Sequence, residues 1–459
     1  MLNDVLTTID GRRDQTLALL KDFLSIPSVS ANPANAPDCR RCAHWVADQL
    51  KFAMLDVSIM ETGGHPCVVA KNKHVPGRPT VLVYGHYDVQ PPEPLDLWTT
   101  PAFEPTVRET PAGTQAIYAR GAVDDKGQVL CHIEAITAWQ AHGGLPVNLT
   151  VLIEGEEEVG SAHLEQFVRQ HRTALKADVC VISDTNQFAR GYPAITTGTR
   201  GLVYQEIIVK GPNRDLHSGL FGGAAPNPAN VLVALLASLR DENGRVTVPG
   251  FYDDVVAITP EERAAWKLLP FSEPDYRKDL GVDATIGEAG YTAQEQMWAR
   301  PTCDINGITY GYQGPGAKTV IGAQASAKVS FRLVANQDPI KIREAFYHHI
   351  RSHSPAGVTI EFLDHGVAPA YLVPPNHPGL PAASRAIETG FGKAPTLIRS
   401  GGSIPIVSTF KKELGIDCLF VGFGLPDDAV HSPNEKFDLD CLHAGCRTAA
   451  ALFAELSRG

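Results

Sequence analysis

The chain has 459 residues, with 51 Asp and Glu against 40 Lys and Arg, a net charge of −11 and 44% hydrophobic residues. At roughly 100–200 residues per domain, this length implies more than one folding unit and a core that needs no disulfide staples. The acidic balance argues against a nucleic-acid partner, and no apolar run approaches the roughly 20 residues of a membrane span, so no membrane association is expected. Asp4, Asp10 and Asp14 occupy the N-terminus without an apolar segment, so no secretory leader is expected and the expected location is cytoplasmic. The nine cysteines are odd in number and scattered, which fits reduced thiols. Cys39 and Cys42, the one close pair, read as neighbours on one face of a helix.

In chain order, amphipathic helices are expected over about Arg12–Leu24 and Asp38–Lys51. Thr80–Tyr84 is a short apolar run of the kind that forms a buried parallel strand. Asp124–Ala141 reads as a helix, with Val129, Ile133 and Ile136 on one face. Leu149–Ile153, Val179–Ile182 and Cys418–Val421 are further buried strands, and Leu439–Leu456 is a closing helix. Strands alternating with helices indicate an α/β domain with a mainly parallel sheet. The middle of the chain reads differently. Leu202–Val209, Ser326–Val334 and Val358–Leu363 are one-sided strands, alternating with a helix over Pro228–Leu239 and one opened by Asp338-Pro339. That pattern predicts an α+β (ferredoxin-like) domain over 198–366, inserted into a discontinuous domain of 1–197 and 367–459. Residues 241–300 carry no readable period. His132, His348 and His349 fall on helices without an evident partner and read as structural or exposed.

Chemistry-bearing residues gather where the buried strands end. Thr80–Tyr84 runs into Gly85-His86-Tyr87-Asp88, and Leu149–Ile153 into Glu154-Gly155-Glu156-Glu157-Glu158. Val179–Ile182 runs into Ser183-Asp184, Arg120-Gly121 precedes Asp124-Asp125-Lys126-Gly127, and Cys418–Val421 leads to His431. Open α/β sheets bind ligands at the carboxyl ends of their strands, so these segments converge on one edge. Carboxylates gathered there without balancing cations would repel one another, which makes sense only around metal ions. Imidazoles and carboxylates without thiolates favour zinc, with manganese or cobalt as alternatives.

The segments YGHYDVQP (84–91), RGAVDDKG (120–127), EGEEEVGS (154–161), ISD (182–184), DLHSGLFGG (215–223), SFRLV (330–334), SGGSIP (400–405) and HSPNEKF (431–437) resemble the M20 metallopeptidases. Within that group they are similar to the cytosolic and carnosine-type dipeptidases, over nearly the whole chain and in the same order. The resemblance implies two divalent metals, one held by His86, Asp124 and Asp184 and the other by Asp124, Glu158 and His431. It implies Asp88 as the carboxylate that orients His86, and Glu157 as the general base that takes a proton from a metal-bridging water. The run Glu156–Glu158 leaves a register question, which alignment on Gly155 and Gly160-Ser161 resolves in favour of Glu157 and Glu158. Asp124 is chosen over Asp125 by the family's spacing to Lys126-Gly127.

The inserted domain resembles the family's lid and dimerisation domain, implying a homodimer. There His217 matches a histidine that stabilises the oxyanion in the partner's site, and Arg332 the arginine that holds the substrate carboxylate. Gly402 and Ser403 would bring backbone N–H groups to the same carboxylate. The implied activity is hydrolysis of dipeptides or short peptides with a free C-terminal carboxylate. The alternative is an N-acetyl or N-succinyl amino acid amidohydrolase using the same site.

Overall fold

Four short apolar runs form the parallel centre of one sheet. In the computed structural model, which describes residues 1–402, 404 and 406–458, Asn148–Glu154, Thr80–His86, Val179–Ile182 and Cys418–Phe420 lie side by side in that order, each parallel to the next. Every residue of these strands is buried apart from Thr80 at the rim, which explains why the runs are continuously apolar rather than alternating. Antiparallel strands flank this centre: Cys67–Lys71 and Asp56–Met60 beyond Asn148–Glu154, and Ala194–Thr199 beside Cys418–Phe420. The α/β expectation with a mainly parallel centre therefore holds.

The chain divides into two compact units. One comprises Met1–Thr197, Val373–Ile398 and Ile406–Gly459, the other Gly198–Leu372 and Arg399–Pro405. The sequence boundary at 366 falls inside the strand Thr359–Ala368.

In the first unit the expected helices are present as Arg13–Leu24, Ala36–Phe52, Lys126–Ala141 and Leu439–Leu456, preceded by an unforeseen helix, Leu2–Gly11. Cys39 and Cys42 are both buried on one helix, and all nine cysteines are free thiols. The helix Lys126–Ala141 starts two residues later than expected, leaving Asp124 and Asp125 in the turn that precedes it. Leu439–Leu456 packs closely on Gly379–Phe391 because small residues face each other there. A Cβ on Gly390 would come within 2.0 Å of Thr448 Oγ1, so no other residue fits without moving a helix. Among the described residues, no helix is long and apolar enough to cross a membrane.

The second unit contains a four-stranded antiparallel sheet in the order Thr302–Tyr310, Gln324–Leu333, Gly201–Lys210, Thr359–Ala368. With the helices Pro228–Ala237 and Pro339–His353 this makes a β-α-β-β-α-β chain, the ferredoxin-like arrangement. Val203, Ile207, Val329, Phe331, Leu235, Phe346 and Ile350 close the core on one side of the sheet. Asp338 caps its helix as expected, accepting from the backbone N–H groups of Ile340 and Lys341. Residues 241–300 fold as three short helices, Pro260–Trp266, Glu273–Leu280 and Ala293–Ala299, opened by Thr259, Ser272 and Thr292 as N-caps.

Candidate metal centre

His86 ends its strand with a fully buried ring. Its Nδ1 lies 3.1 Å from the backbone carbonyl of Asp88, which can only accept, so Nδ1 carries the proton and Nε2 presents a lone pair. That Nε2 is buried without a hydrogen-bond partner, although Asp124 Oδ1 lies 3.1 Å away and Asp184 Oδ2 3.9 Å away. On the other side of Asp124, Oδ2 is 3.0 Å from His431 Nε2, and Glu158 Oε2 is 3.2 Å from the same nitrogen. His86, Asp124 and Asp184 form one group whose ligand atoms lie within 4.8 Å of each other, and Asp124, Glu158 and His431 form another. The orphaned imidazole nitrogen and the all-nitrogen-and-oxygen donor set fit two divalent cations sharing one carboxylate.

The neighbouring acids separate by what they touch. Glu156 turns away from the cluster to His163, 2.8 Å from its Nδ1. Asp125 is buried beneath the site, and one of its oxygens accepts from the backbone N–H of His86 at 3.2 Å. Asp88 reaches both the His86 ring and the turn that carries the glutamates. Its carbonyl oxygen lies 3.1 Å from His86 Nδ1 and its carboxylate Oδ1 3.5 Å from the same nitrogen, and the carboxylate also accepts from the backbone N–H groups of Glu157 and Glu158 at 3.3 and 3.1 Å. Asp88 thus ties the His86 strand to the turn that carries both glutamates. Gln90 holds Glu158 as well, donating to its Oε2 at 2.8 Å.

Two buried carboxylates shape the loops that bring Asp124 and His431 together. Glu435 accepts from the backbone N–H groups of Gly121, Val123 and Asp124 at 2.9, 3.0 and 3.2 Å, and from Arg120 at 2.8 Å. Asp428 accepts from Leu425 N–H at 2.6 Å and Lys436 Nζ at 2.5 Å, closing the loop on which His431 adopts a left-handed φ of 60°. Glu435 belongs to the His431 segment, yet its side chain organises the Asp124 turn, a role that its place in the sequence does not announce. His132 is not partnerless as its helix position suggests: its Nε2 lies 2.8 Å from Ser183 Oγ, the residue before Asp184. His349 likewise meets Ser238 Oγ at 3.0 Å.

Replacing Glu435 with Gln leaves one acceptor oxygen for four donors and an uncompensated buried Arg120. A loss of roughly 3–5 kcal/mol in unfolding free energy and a roughly 10- to 100-fold weaker metal affinity are expected, read by denaturant titration and metal competition. Unchanged affinity would show that Glu435 does not support the metal centre.

Electrostatics show how strongly the cluster calls for cations. Hydrogen bonding to Asp124 and then Glu158 lifts His431 to about 10. Burial, reinforced by the charge of Asp124, lifts Asp184 to about 7. Burial also pushes Glu157 well above the carboxylate range; His86 opposes the shift, while Asp184, Glu158 and Asp124 add to it. A cation entering this cluster must displace the His431 proton and, near neutrality, part of that on Asp184. Both protons leave more easily as pH rises, so divalent-cation affinity is expected to tighten between pH 6 and pH 8. Competition titrations at both ends check this, and equal affinities would contradict it.

The remaining expected residues belong to the second unit. His217 is exposed at the start of a short helix, and its Nδ1 accepts from Gly219 N–H at 3.0 Å, so Nε2 carries the proton. Arg332 sits on the strand Gln324–Leu333, opposite Leu202 and Thr302. The Gly402 carbonyl accepts from Arg200 N–H at 2.9 Å, and its own N–H donates to Ser400 Oγ at 3.1 Å. Ser403 lies outside the described residues.

Comparison with known proteins places the chain. Residues 82–455 match the profile of peptidase family M20/M25/M40. The chain belongs to this family. It is 33% identical to a Cys-Gly metallodipeptidase of Candida albicans, over 97% of this chain and 96% of that one. It is also 33% identical to the human β-Ala-His dipeptidase, over 100% of this chain and 93% of that one. Among solved structures, human carnosine dipeptidase 1 aligns with a TM-score of 0.81 at 32% identity, covering 100% of this chain and 99% of the other. The M20 metallo-carboxypeptidase Sso-CP2 of Sulfolobus solfataricus aligns at 0.85 and 32%, covering 97% and 99%.

Proposed function

We propose that this M20 chain is a dinuclear metallopeptidase that hydrolyses the peptide bond of dipeptides or short peptides ending in a free carboxylate. The observation that carries the reading is Asp124, whose two oxygens face different histidines, Oδ1 toward His86 and Oδ2 toward His431. A bridging carboxylate is what two adjacent cations require. Similarity to relatives named for Cys-Gly and β-Ala-His substrates supports a dipeptide rather than an N-acyl amino acid.

His86, Asp124 and Asp184 would hold one cation, and Asp124, Glu158 and His431 the other. Zinc is the first choice for this donor set, with manganese and cobalt as alternatives. When bound, the pair supplies polarisation of the scissile carbonyl and a more acidic water. Glu157, partly buried beside the ligands, has the proton affinity of a general base. It takes the proton of the attacking water and later passes it to the leaving amine. Asp88 holds the backbone of Glu157 and Glu158 in register for these tasks. His217 Nε2–H is a donor suited to the tetrahedral oxyanion. Arg332, with Gly402 and Ser403, takes the substrate's terminal carboxylate. The second unit serves as lid and dimerisation element, so that a homodimer supplies His217 to its partner's site.

The test is a panel of dipeptides against N-acetyl and N-succinyl amino acids, with zinc, manganese or cobalt supplied. Dipeptide cleavage is expected; preferential cleavage of the acylated amino acids would overturn the dipeptidase reading. His217→Ala is expected to lower kcat by roughly 100-fold or more at unchanged metal content, as for loss of an oxyanion donor. Loss of metal in that variant, seen by elemental analysis, would contradict its role outside the ligand set.

A further inference from the structure

Two buried polar side chains of the helix Lys126–Ala141, Gln128 and His132, lie one turn apart and meet segments that carry metal ligands. Gln128 Nε2 donates to the carbonyl of Val123, the residue before Asp124, at 3.0 Å, and its Oε1 accepts from Phe423 N–H at 2.7 Å. His132 Nε2 lies 2.8 Å from Ser183 Oγ, and Asp184 follows Ser183. One helix thus holds the segments of both carboxylates assigned to the His86 cation, and a rigid element places ligands more accurately than a loop does.

The hydrogen positions along this contact follow from the acceptors. The Ser183 hydroxyl donates to the carbonyl of Val421 at 2.7 Å. Its one hydrogen is spent there, so toward His132 the oxygen accepts and Nε2 carries the proton. Nδ1 is then a lone pair, buried without a hydrogen-bond partner among the described residues. Burial takes His132 down to about 4, so near neutral pH the ring is uncharged and keeps this tautomer. An unpaired polar atom in a core costs stability, and an apolar side chain beside the rings of Phe423 and Phe453 would avoid that cost. What the imidazole adds is the N–H on Ser183. That bond reaches the point where two parallel strands end. Val421 N–H donates to Ile182 O at 2.9 Å while Val421 O accepts from Ser183, and Asp184 emerges directly from this clasp.

We propose that His132 is a positioning residue of the metal centre, whose Nε2–H acts through Ser183 to hold the strand end carrying Asp184 and so sets the affinity for the cation of His86, Asp124 and Asp184. The inference rests on the two-cation reading of the site.

The experiment measures zinc affinity by chelator competition in two single-site backgrounds of the full chain. Glu158→Gln is expected to keep the cation of His86, Asp124 and Asp184, and Asp184→Asn that of Asp124, Glu158 and His431. Adding His132→Leu to the first should weaken zinc binding roughly 10- to 100-fold, as for loss of a group that orients a ligand. Adding it to the second should change affinity by no more than about twofold, as for sites without shared partners. His132→Gln, whose amide nitrogen can reach Ser183, should restore most of the loss in the first background. Equal weakening in both backgrounds marks a purely structural residue and overturns the proposal. So does unchanged affinity in the first, or a Gln variant no better than Leu. Should His132→Leu fail to fold, Ser183→Ala takes its place: a loss confined to the first background supports the proposal, and an equal or absent loss overturns it. A wild type that binds fewer than two zinc ions overturns the two-cation reading itself, and the proposal with it.

Discussion

Glu157→Gln should reduce dipeptide hydrolysis by roughly 100- to 10,000-fold while leaving two metals bound. Glutamine matches glutamate in size and keeps the backbone N–H that donates to Asp88, so the turn carrying Glu158 should stay in place. What it loses is the ability to accept a proton from water and return it to the amine. The loss should appear in kcat with little change in KM, because Glu157 is assigned to proton movement rather than to substrate binding. Steady-state kinetics with elemental analysis of the same sample check both halves. Near-wild-type kcat would pass the base role to another group, and loss of metal would place Glu157 among the ligands.

Asp124→Ala should cost both metals at once. Each half of the cluster depends on this carboxylate, Oδ1 serving the His86 and Asp184 side and Oδ2 the His431 and Glu158 side. Replacement of Asp184 or of Glu158 should deplete only the cation of its own group. The expected metal content is therefore near zero for Asp124→Ala and near one for each of the other two variants, with activity lost in the first. A single retained metal in Asp124→Ala would show that the carboxylate serves one cation only and does not bridge.

The parallel centre is legible in the sequence because burial on both faces leaves apolar runs that end abruptly in polar residues. The same abruptness exposes the site, since His86, Glu157, Glu158 and Asp184 each follow such a run within a few residues. Parts that escape do so for physical reasons. Thr302–Tyr310 carries Asp304, Asn306 and a bulge between Ile305 and Gly307, which breaks the alternation that marks a one-sided strand. The helices within 241–300 have seven or eight residues, too few for a helical period to register. Their caps are nevertheless present in the sequence: Thr259 with Glu262 and Thr292 with Glu295 are capping boxes, and Pro260 occupies a first turn.

Within the site, residues divide into ligands and supports. The ligand set can be assigned by resemblance, whereas the supports depend on partners far away in the chain. Nothing near Glu435 in sequence announces that it will bind the backbone of Gly121–Asp124, and nothing near His132 announces Ser183. Asp88 shows a subtler limit. A carboxylate two residues after a histidine suggests a side-chain contact, and Oδ1 lies 3.5 Å from the ring nitrogen, but the carbonyl meets that nitrogen as well and the carboxylate also holds the following turn.

The central claim is that two cations sharing Asp124 make this chain a dipeptide hydrolase. Its most direct test is to add zinc, manganese or cobalt stepwise to the metal-free protein while following the rate of dipeptide hydrolysis. The expected rate climbs with added metal and levels off at two equivalents per chain for at least one of the three. A rate that stays at zero through saturation with all three would contradict the claim.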